Sequence, residues 1–254
     1  MRIVFFDIDG TLAMGTDVPA SAAAAIERVR ANGDLVFICT GRARAYAEKN
    51  FGQYADGFVC CNGRLAFSGA EHLYEAPLSC EQVTSIVATL DELEAGYCFF
   101  EEWKAYYGGE RAYRPIAEGI LGLGELGDGV EPATIRAFNF DVYFEDADHR
   151  SRIAKALAST CLLNPHGPHP SADMTVLGVD KGDAVRNVAK SLGVDLQDTY
   201  AFGDGINDLC MLKAAGHGIA MGNAMDEVKA AAEFVTRDIT DDGVAVGLAH
   251  YGLA

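Results

Sequence analysis

Four stretches of the chain hold residues whose types and spacing could do chemistry. Asp7 and Asp9 stand one residue apart at the end of the apolar run Ile3 to Phe6, followed by Gly10 and Thr11. On a strand, residues i and i+2 face the same side, so both carboxylates point one way and Ile8 the other. Two carboxylates that close together repel, and the pair favours a divalent cation or one raised pKa. A carboxylate can also attack phosphorus and form an acyl phosphate. The same letters would also serve as a simple turn after a strand. Thr40-Gly41-Arg42 follows a second apolar run, Leu35 to Cys39. A hydroxyl and backbone N–H groups at a strand end can hold a phosphate oxygen, or cap a helix. Lys181 sits at or before a helix start, where a cation runs against the helix dipole and invites a functional reason. Gly203-Asp204-Gly205-Ile206-Asn207-Asp208 is dense in glycine and carboxylate. Its glycines allow a sharp turn with backbone close to a ligand. Asp204 can serve as a hard oxygen ligand for Mg²⁺, which takes only one or two carboxylates and keeps several waters, and the same stretch would also serve as an Asx-rich turn and a helix cap.

These stretches need elements to position them. Residues 1–8 predict a strand, Ser21 to Arg30 a helix stopped at Asn32-Gly33, Leu35 to Cys39 a strand, Arg44 to Asn50 a helix, and Gly57 to Cys61 a strand. Near-continuous apolar strands alternating with helices read as a parallel sheet covered on both faces. From Asp180 the same rhythm resumes, with helices over Asp183 to Leu192 and Ile206 to Ala215 and strands over Thr199 to Phe202 and His217 to Met221. Chemistry is then expected beyond the strand ends, as in open α/β sheets. Between these halves the rhythm changes. Ser79 to Ala95 reads as an amphipathic helix, Tyr97 to Gly108 as a strand or hairpin, Gly119 to Gly129 as irregular, and Ala137 to Glu145 as an alternating, half-buried strand. A helix over Asp146 to Ser159 and short strands over Cys161 to Asn164 and Ala172 to Leu177 complete it. The expectation is an α/β protein: a discontinuous core of residues 1–78 and 178–254, with an inserted α+β domain over 79–177.

Composition bounds the function. The chain has 254 residues, half of them hydrophobic, and a net charge of −17. Such a charge argues against nucleic-acid or anionic-membrane partners, and an anionic substrate must be met by local cations. No apolar run approaches the length of a membrane span. The odd number of cysteines, seven, with no C-x-x-C, reads as reduced thiols in a cytoplasmic protein. The N-terminus starts directly in a strand, so no signal peptide is expected. His166 and His169 in NPHGPHP read as a loop, and Glu101-Glu102 as a solvated edge. Trp103, Tyr106 and Tyr107 are expected to pack in the inserted domain's sheet.

DIDGT, TGR, Lys181 and GDGIND, in that order and at those places, resemble the haloacid dehalogenase superfamily of phosphohydrolases. An insertion between the second and third motifs is similar to the type-II cap subgroup. Asn62 to Arg64 and Asp242 to Ala245 resemble turns of its Cof-type branch. The resemblance covers residues 1–75 and 178–250. It implies a Rossmann-like core and an Mg²⁺-dependent phosphatase of a small phosphorylated metabolite, such as a sugar phosphate. It implies that Asp7 attacks phosphorus to form an aspartyl phosphate, and that Asp9 protonates the leaving alcohol and later accepts a proton from water. Mg²⁺ would be held by Asp7, the backbone carbonyl of Asp9 and Asp204. Thr40, Gly41, Lys181 and Asn207 would meet the phosphate, and Asp208 would orient Lys181 or a metal-bound water. The resemblance assigns Arg42 no role. A phosphomutase or phosphotransferase of the phosphomannomutase type shares these motifs. A non-catalytic metabolite-binding regulator would need a damaged motif, and none is damaged.

Overall fold

The computed structural model describes the backbone of residues 1–121 and 126–254 and the side chains of residues 1–118 and 126–254. Strand β1 (Ile3–Phe6) is buried at every position. Helix α1 (Ala20–Ala31) buries Ala22, Ala25, Ile26 and Val29, one stripe at helical spacing. Strand β2 (Leu35–Cys39), helix α2 (Arg44–Phe51) and strand β3 (Gly57–Cys60) follow. A hairpin that the apolar pattern does not announce comes next: β4 (Leu65–Ser68) and β5 (Glu71–Glu75). Gly69, at φ +57°, lies in its tight turn.

The chain then builds a second sheet. Helix α3 (Cys80–Glu92) starts at a capping box, in which Ser79 accepts from the Gln82 amide and Gln82 from the Ser79 amide. After it come β6 (Gly96–Phe100), β7 (Ala105–Gly109), α4 (Arg114–Leu121), β8 (Leu126–Asp128) and β9 (Asn139–Tyr143). Of the stretch 119–129, read from sequence as irregular, the first residues close α4 and Leu126–Asp128 pair with β7 as a short strand. Residues 122–125 of it lie outside the described residues. Helix α5 (Ala147–Ala156), capped by Asp146, and strands β10 (Cys161–Pro165) and β11 (Ser171–Val176) complete this part.

Helix α6 (Lys181–Leu192) begins two residues earlier than the sequence suggests. Asp180 and Asp183 form its capping box, which makes Lys181 the first helical residue, and Gly193 closes it in the left-handed conformation. Then follow β12 (Thr199–Gly203), a single 3₁₀ turn Ile206–Asp208, α7 (Leu209–Ala214), β13 (His217–Ala220), α8 (Asp226–Ala231), β14 (Phe234–Val235) and α9 (Gly243–His250).

The first sheet runs β14-β13-β12-β1-β2-β3-β4-β5. It is parallel from β14 to β3, and only β4 and β5 are antiparallel. Strand β1 therefore lies between a strand from early in the chain and one about 200 residues later; Phe6 pairs in register with both Ile38 and Phe202. The second sheet runs β10-β11-β9-β6-β7-β8 and is antiparallel except at its β7–β8 edge. Contacts divide the chain into two compact units. One holds Met1–Arg42, Ala47–Glu75 and Val179–Ala254; the other holds Ala43–Tyr46 and Ala76–Gly178. In the second unit, α3 and α5 bury one sheet face around Phe99, Phe140, Val142 and Met174. Cys98, Phe100, Tyr107 and Tyr143, on the opposite face, pack with Ala117 of α4. No described helix is long and apolar enough to cross a membrane.

Candidate active site

The ends of three neighbouring parallel strands carry the sequence-predicted residues. Asp7 follows β1, Thr40 follows β2, and Asp204 follows β12. The ladder holds these ends in place. The Asp7 amide donates to the Phe202 carbonyl at 3.0 Å, and the Thr40 amide to the Val59 carbonyl at 2.8 Å. Beyond β2 and β3 the loops are stitched together, with Asn62 N donating to Thr40 O and Cys61 N to Arg42 O, both at 3.1 Å.

Lys181 is the centre of the cluster. Its ammonium donates to Asp7 Oδ1 and to Asp208 Oδ1, each at 2.6 Å. All three side chains are buried, with Lys181 only 1% exposed. Burial alone would lower the Lys181 pKa, but the Asp208 and Asp7 charges override it and hold it well above its ordinary value. The other Asp208 oxygen accepts from the Asp204 and Gly205 amides, both at 3.0 Å. Asp208 thus fixes both Lys181 and the loop that bears Asp204. Gly63 sits at the foot of this arrangement at φ +100°. A Cβ there would lie 2.1 Å from the Asp180 carbonyl, so only glycine lets the start of α6 come this close.

Asp204 is held from the other side, where Thr11 Oγ1 donates to its Oδ1 at 2.8 Å. Gly10, at φ +89°, leaves room for it, since a Cβ would lie 2.4 Å from Asp204 Oδ2. Asp7, Asp204 and Asp208 each place an oxygen within 4.8 Å of the others, close enough to share one cation. Burial, then the Asp208 charge, pushes Asp7 up to about 7 against the pull of Lys181. Burial also pushes Asp204 up to about 6, against the hydrogen bond from Thr11. One ammonium among three carboxylates leaves two negative charges uncompensated, which is what a divalent cation supplies. Both Asp208 oxygens are already engaged. Asp7 and Asp204 each have one oxygen committed, to Lys181 and to Thr11. Asp7, Asp204 and Asp208 together are a donor set that a hard divalent cation fits.

Asp9 does not join this buried group. Its side chain is 50% exposed and faces Arg42, whose Nε and Nη2 lie 3.3 Å from Asp9 Oδ2. Thr40 is buried, and its Oγ1 accepts from the Arg42 amide at 3.1 Å. Gly41 lies against Asn62, whose side-chain amide would be about 3.0 Å from any Cβ placed there. Asn207 is exposed, with its amide oxygen folded back over Gly205. Sequence reasoning misses two contributors and leaves a third, Arg42, with no partner assigned. Thr11 stood inside a motif already singled out, and its spacing from Gly10 was the available signal. Asn223, whose Nδ2 donates to the Gly10 carbonyl at 2.7 Å while its Oδ1 accepts from the Ile239 amide, carried no local signal. Arg42 was noticed but had no assigned partner.

The second unit holds a polar strip on one sheet face. Asn139, Asp141 and Tyr143 alternate along β9, and the Asn139 amide donates to Asp173 on β11. Asn164 donates to Thr175 at 3.0 Å. Glu101 and Glu102, expected as a solvated edge, are partnered instead. Glu101 accepts from the Arg136 amide at 2.9 Å, and Glu102 pairs with buried Arg44, whose guanidinium lies 4.5 Å over the Trp103 ring. Tyr107 packs inside, as expected, whereas Trp103 is exposed on its outer side. His166 lies in a loop, with Nδ1 2.9 Å from Ser171 Oγ.

Comparison with known proteins places this geometry. Residues 4–248 match the family described as haloacid dehalogenase-like hydrolase. The Bacillus subtilis (strain 168) protein YkrA is 30% identical over 99% of this chain and 98% of its own. Pyridoxal phosphate phosphatase YbhA of Escherichia coli (strain K12) is 27% identical over 96% of each chain. The solved structure of the subclass IIB sugar phosphatase BT4131 superposes with a TM-score of 0.81 at 29% identity, covering 100% of both chains. With a parallel core sheet, a separate mixed sheet and the acidic cluster at the strand ends, this chain belongs to the haloacid dehalogenase-like hydrolases, as a phosphatase of their Cof-type, subclass IIB branch.

Proposed function

We propose that this phosphatase takes a small phosphorylated metabolite, a sugar phosphate by preference, and hydrolyses it through an aspartyl phosphate on Asp7. The observation that carries this reading is the buried ammonium of Lys181, held at 2.6 Å by both Asp7 and Asp208. A nucleophile next to a fixed cation can approach an anionic phosphate, and the same cation stabilises the charge that develops on the phosphoryl oxygens. Asp7 attacks phosphorus as the bond to the leaving oxygen breaks, and Asp9 gives that oxygen a proton. Water then attacks phosphorus, Asp9 takes its proton, and the Asp7 carboxylate is regenerated. Thr40, the Gly41 amide and Asn207 are assigned to the phosphate. Asp7, the Asp9 carbonyl and Asp204 are assigned to Mg²⁺, which when bound screens the nucleophile from the incoming charge. Asp208 positions Lys181.

The second unit is assigned the part of the cap, selecting the leaving group and excluding water. The sugar phosphatase and pyridoxal phosphate phosphatase relatives support a small phosphorylated substrate. Seven free cysteines support a reducing, cytoplasmic setting. The test is phosphate release from a sugar-phosphate panel and an aryl phosphate, with and without Mg²⁺. Asp7→Asn should lose at least about 10³-fold, as loss of a nucleophile requires. Full turnover by Asp7→Asn would sink the nucleophile assignment. Exchange between sugar 1-phosphate and 6-phosphate without release would replace the hydrolase reading by a mutase.

A further inference from the structure

We infer that Asn223 is a positioning residue for the metal end of the site. Its side chain fixes the turn that bears Asp9 against the loop that bears Asp204, and so sets the affinity for Mg²⁺. This rests on the assignment of Mg²⁺ above to Asp7, the Asp9 carbonyl and Asp204, and adds a residue to it.

Three observations carry the inference. First, both ends of the Asn223 amide are used, and each joins a different loop. Nδ2 donates to the Gly10 carbonyl at 2.7 Å, and Oδ1 accepts from the Ile239 amide at 3.0 Å. The donor can face only the carbonyl and the acceptor only the N–H, so the side chain has one orientation. Second, the loop that carries Asn223 is itself anchored. The Gly222 amide donates to the Arg237 carbonyl at 2.8 Å, and a Cβ on Gly222 would lie 2.4 Å from the Asp238 nitrogen. Two residues beyond Asn223, the Met225 amide donates to the Asp204 carbonyl at 3.2 Å. One short loop therefore holds Gly10 by a side chain and Asp204 by its backbone. Third, the turn held in this way presses on Asp204. Gly10 leaves no room for a Cβ beside Asp204 Oδ2, and its neighbour Thr11 donates to Asp204 Oδ1 at 2.8 Å.

These bonds close a ring: from Asn223 to Gly10, along the chain to Thr11, across to Asp204, and back through Met225. Within it the Gly10–Thr11 peptide is held at its carbonyl by Asn223 and at its N–H by the Ile8 carbonyl, at 3.2 Å. The Asp9–Gly10 peptide is held by the Gly10 amide, which donates to the Ala13 carbonyl at 3.1 Å. Planar peptides fixed in this way give the Asp9 carbonyl one direction. Mg²⁺ tolerates little departure from octahedral geometry, so its affinity depends on ligands already at the right spacing. Without the Asn223 donor the Gly10 carbonyl turns to water, and the Asp9 turn is no longer tied to the loop that also holds Asp204. The ligands are unchanged, but their spacing is not set before the ion arrives.

The experiment is Mg²⁺ titration calorimetry on the substrate-free protein, with p-nitrophenyl phosphate turnover beside it. Asn223 is exposed, so its truncation opens no buried void. Asn223→Ala should raise the Mg²⁺ Kd about tenfold, the size usual for a residue that orients a metal ligand. At saturating Mg²⁺, the KM for p-nitrophenyl phosphate should stay within about twofold, because binding of the ester is untouched. Asn223→Asp is the sharper variant: it keeps the acceptor for the Ile239 amide and removes only the donor to Gly10. Its added negative charge would by itself tighten Mg²⁺ binding. The Kd should rise instead, because a carboxylate facing the Gly10 carbonyl pushes the turn away. A Kd unchanged or lowered in Asn223→Asp would overturn the proposal. So would an Asn223→Ala protein that melts lower yet binds Mg²⁺ as the wild type does, because Asn223 would then only support the fold. If the alanine variant does not fold, the aspartate variant decides alone. A wild-type protein that binds no Mg²⁺ would overturn the metal assignment and this inference with it. Kd values that rise as expected, in a protein that releases no phosphate, would support the inference and overturn the phosphatase reading.

Discussion

The eight-stranded sheet and the six-stranded sheet both bury polar side chains, but they do so in different places and with different charge. In the first unit Asp7 and Asp204 stand just past strand ends and meet Lys181 at the start of α6 and Asp208 in the 3₁₀ turn after β12. They come from positions 7, 181, 204 and 208, and they leave negative charge uncompensated around one ammonium. In the second sheet Asn139, the first residue of β9, reaches diagonally to Asp173, which lies within β11 opposite Asp141, and its amide donates to that carboxylate. A group past a strand end is held by the ladder without being part of its wall, so a ligand can reach it. A group at mid-strand is part of the wall. The difference is one of placement: the first sheet gathers carboxylates around one ammonium where a ligand could reach them, whereas the second carries Asp141 and Asp173 opposite each other within its strands.

The most forceful way to break this comparison is to remove the ammonium. Lys181→Met would leave Asp7 and Asp208 buried without their counter-ion. Stability should fall by about 3–5 kcal/mol, the usual cost of breaking a buried pair. Phosphatase kcat should fall at least about 10²-fold, through loss of transition-state charge stabilisation. Denaturant melts and steady-state rates together check this; a stable, active variant would show that the cluster does not depend on Lys181.

A second measurement sharpens the charge argument. Asp7 and Asp204 are raised to about 7 and about 6 in the folded protein. Without a cation, the folded state holds protons that the unfolded chain has released. Their contribution to stability is therefore complete below about pH 4 and lost as pH rises through 6 to 7. A divalent cation binds the ionised forms, so its stabilisation should grow over the same window. It should reach about 2.7 kcal/mol when Mg²⁺ is at 100 times its Kd. Thermal melts at pH 5 and pH 8, with EDTA and with Mg²⁺, read this directly. An Mg²⁺ shift of equal size at both pH values would mean that the cation is not bound by these two carboxylates.

The smallest effect is expected on the second sheet. Asn139→Leu should cost about 1–3 kcal/mol, because Asp173 loses a buried donor. Turnover of p-nitrophenyl phosphate, which asks little of leaving-group recognition, should change less than about threefold. A loss comparable with that of Lys181→Met would erase the distinction between the two sheets.

Much of this protein was legible in its letters. Buried apolar runs ending in Asp7, Thr40 and Asp204 announced a parallel sheet with chemistry at its ends, because a strand covered on both faces must be apolar throughout and polar only where it stops. The start of α6 was read two residues late, at Asp183, because the Asp180–Asp183 capping box that makes Lys181 its first residue shows only once both side chains fold back on the backbone. Other elements were not legible. The β4–β5 hairpin hides in Arg64 to Glu75, where glycine and polar residues blur the alternation, and β8 is only three residues long. Neither presents a period long enough to read.

What the chain determined alone is therefore local: which segments are strands, where they end, and which residue types stand at those ends. Tertiary structure decided the partnerships. Thr11 meets Asp204 across 193 residues, Asn223 meets Gly10 across 213, and Arg42 meets Asp9 across 33. Glu102, which looks solvated in sequence, closes on Arg44. The physical reason is that backbone periodicity is set by neighbours a few residues apart. A side-chain hydrogen bond depends on which strand end is folded beside which, and only the assembled sheet makes that choice.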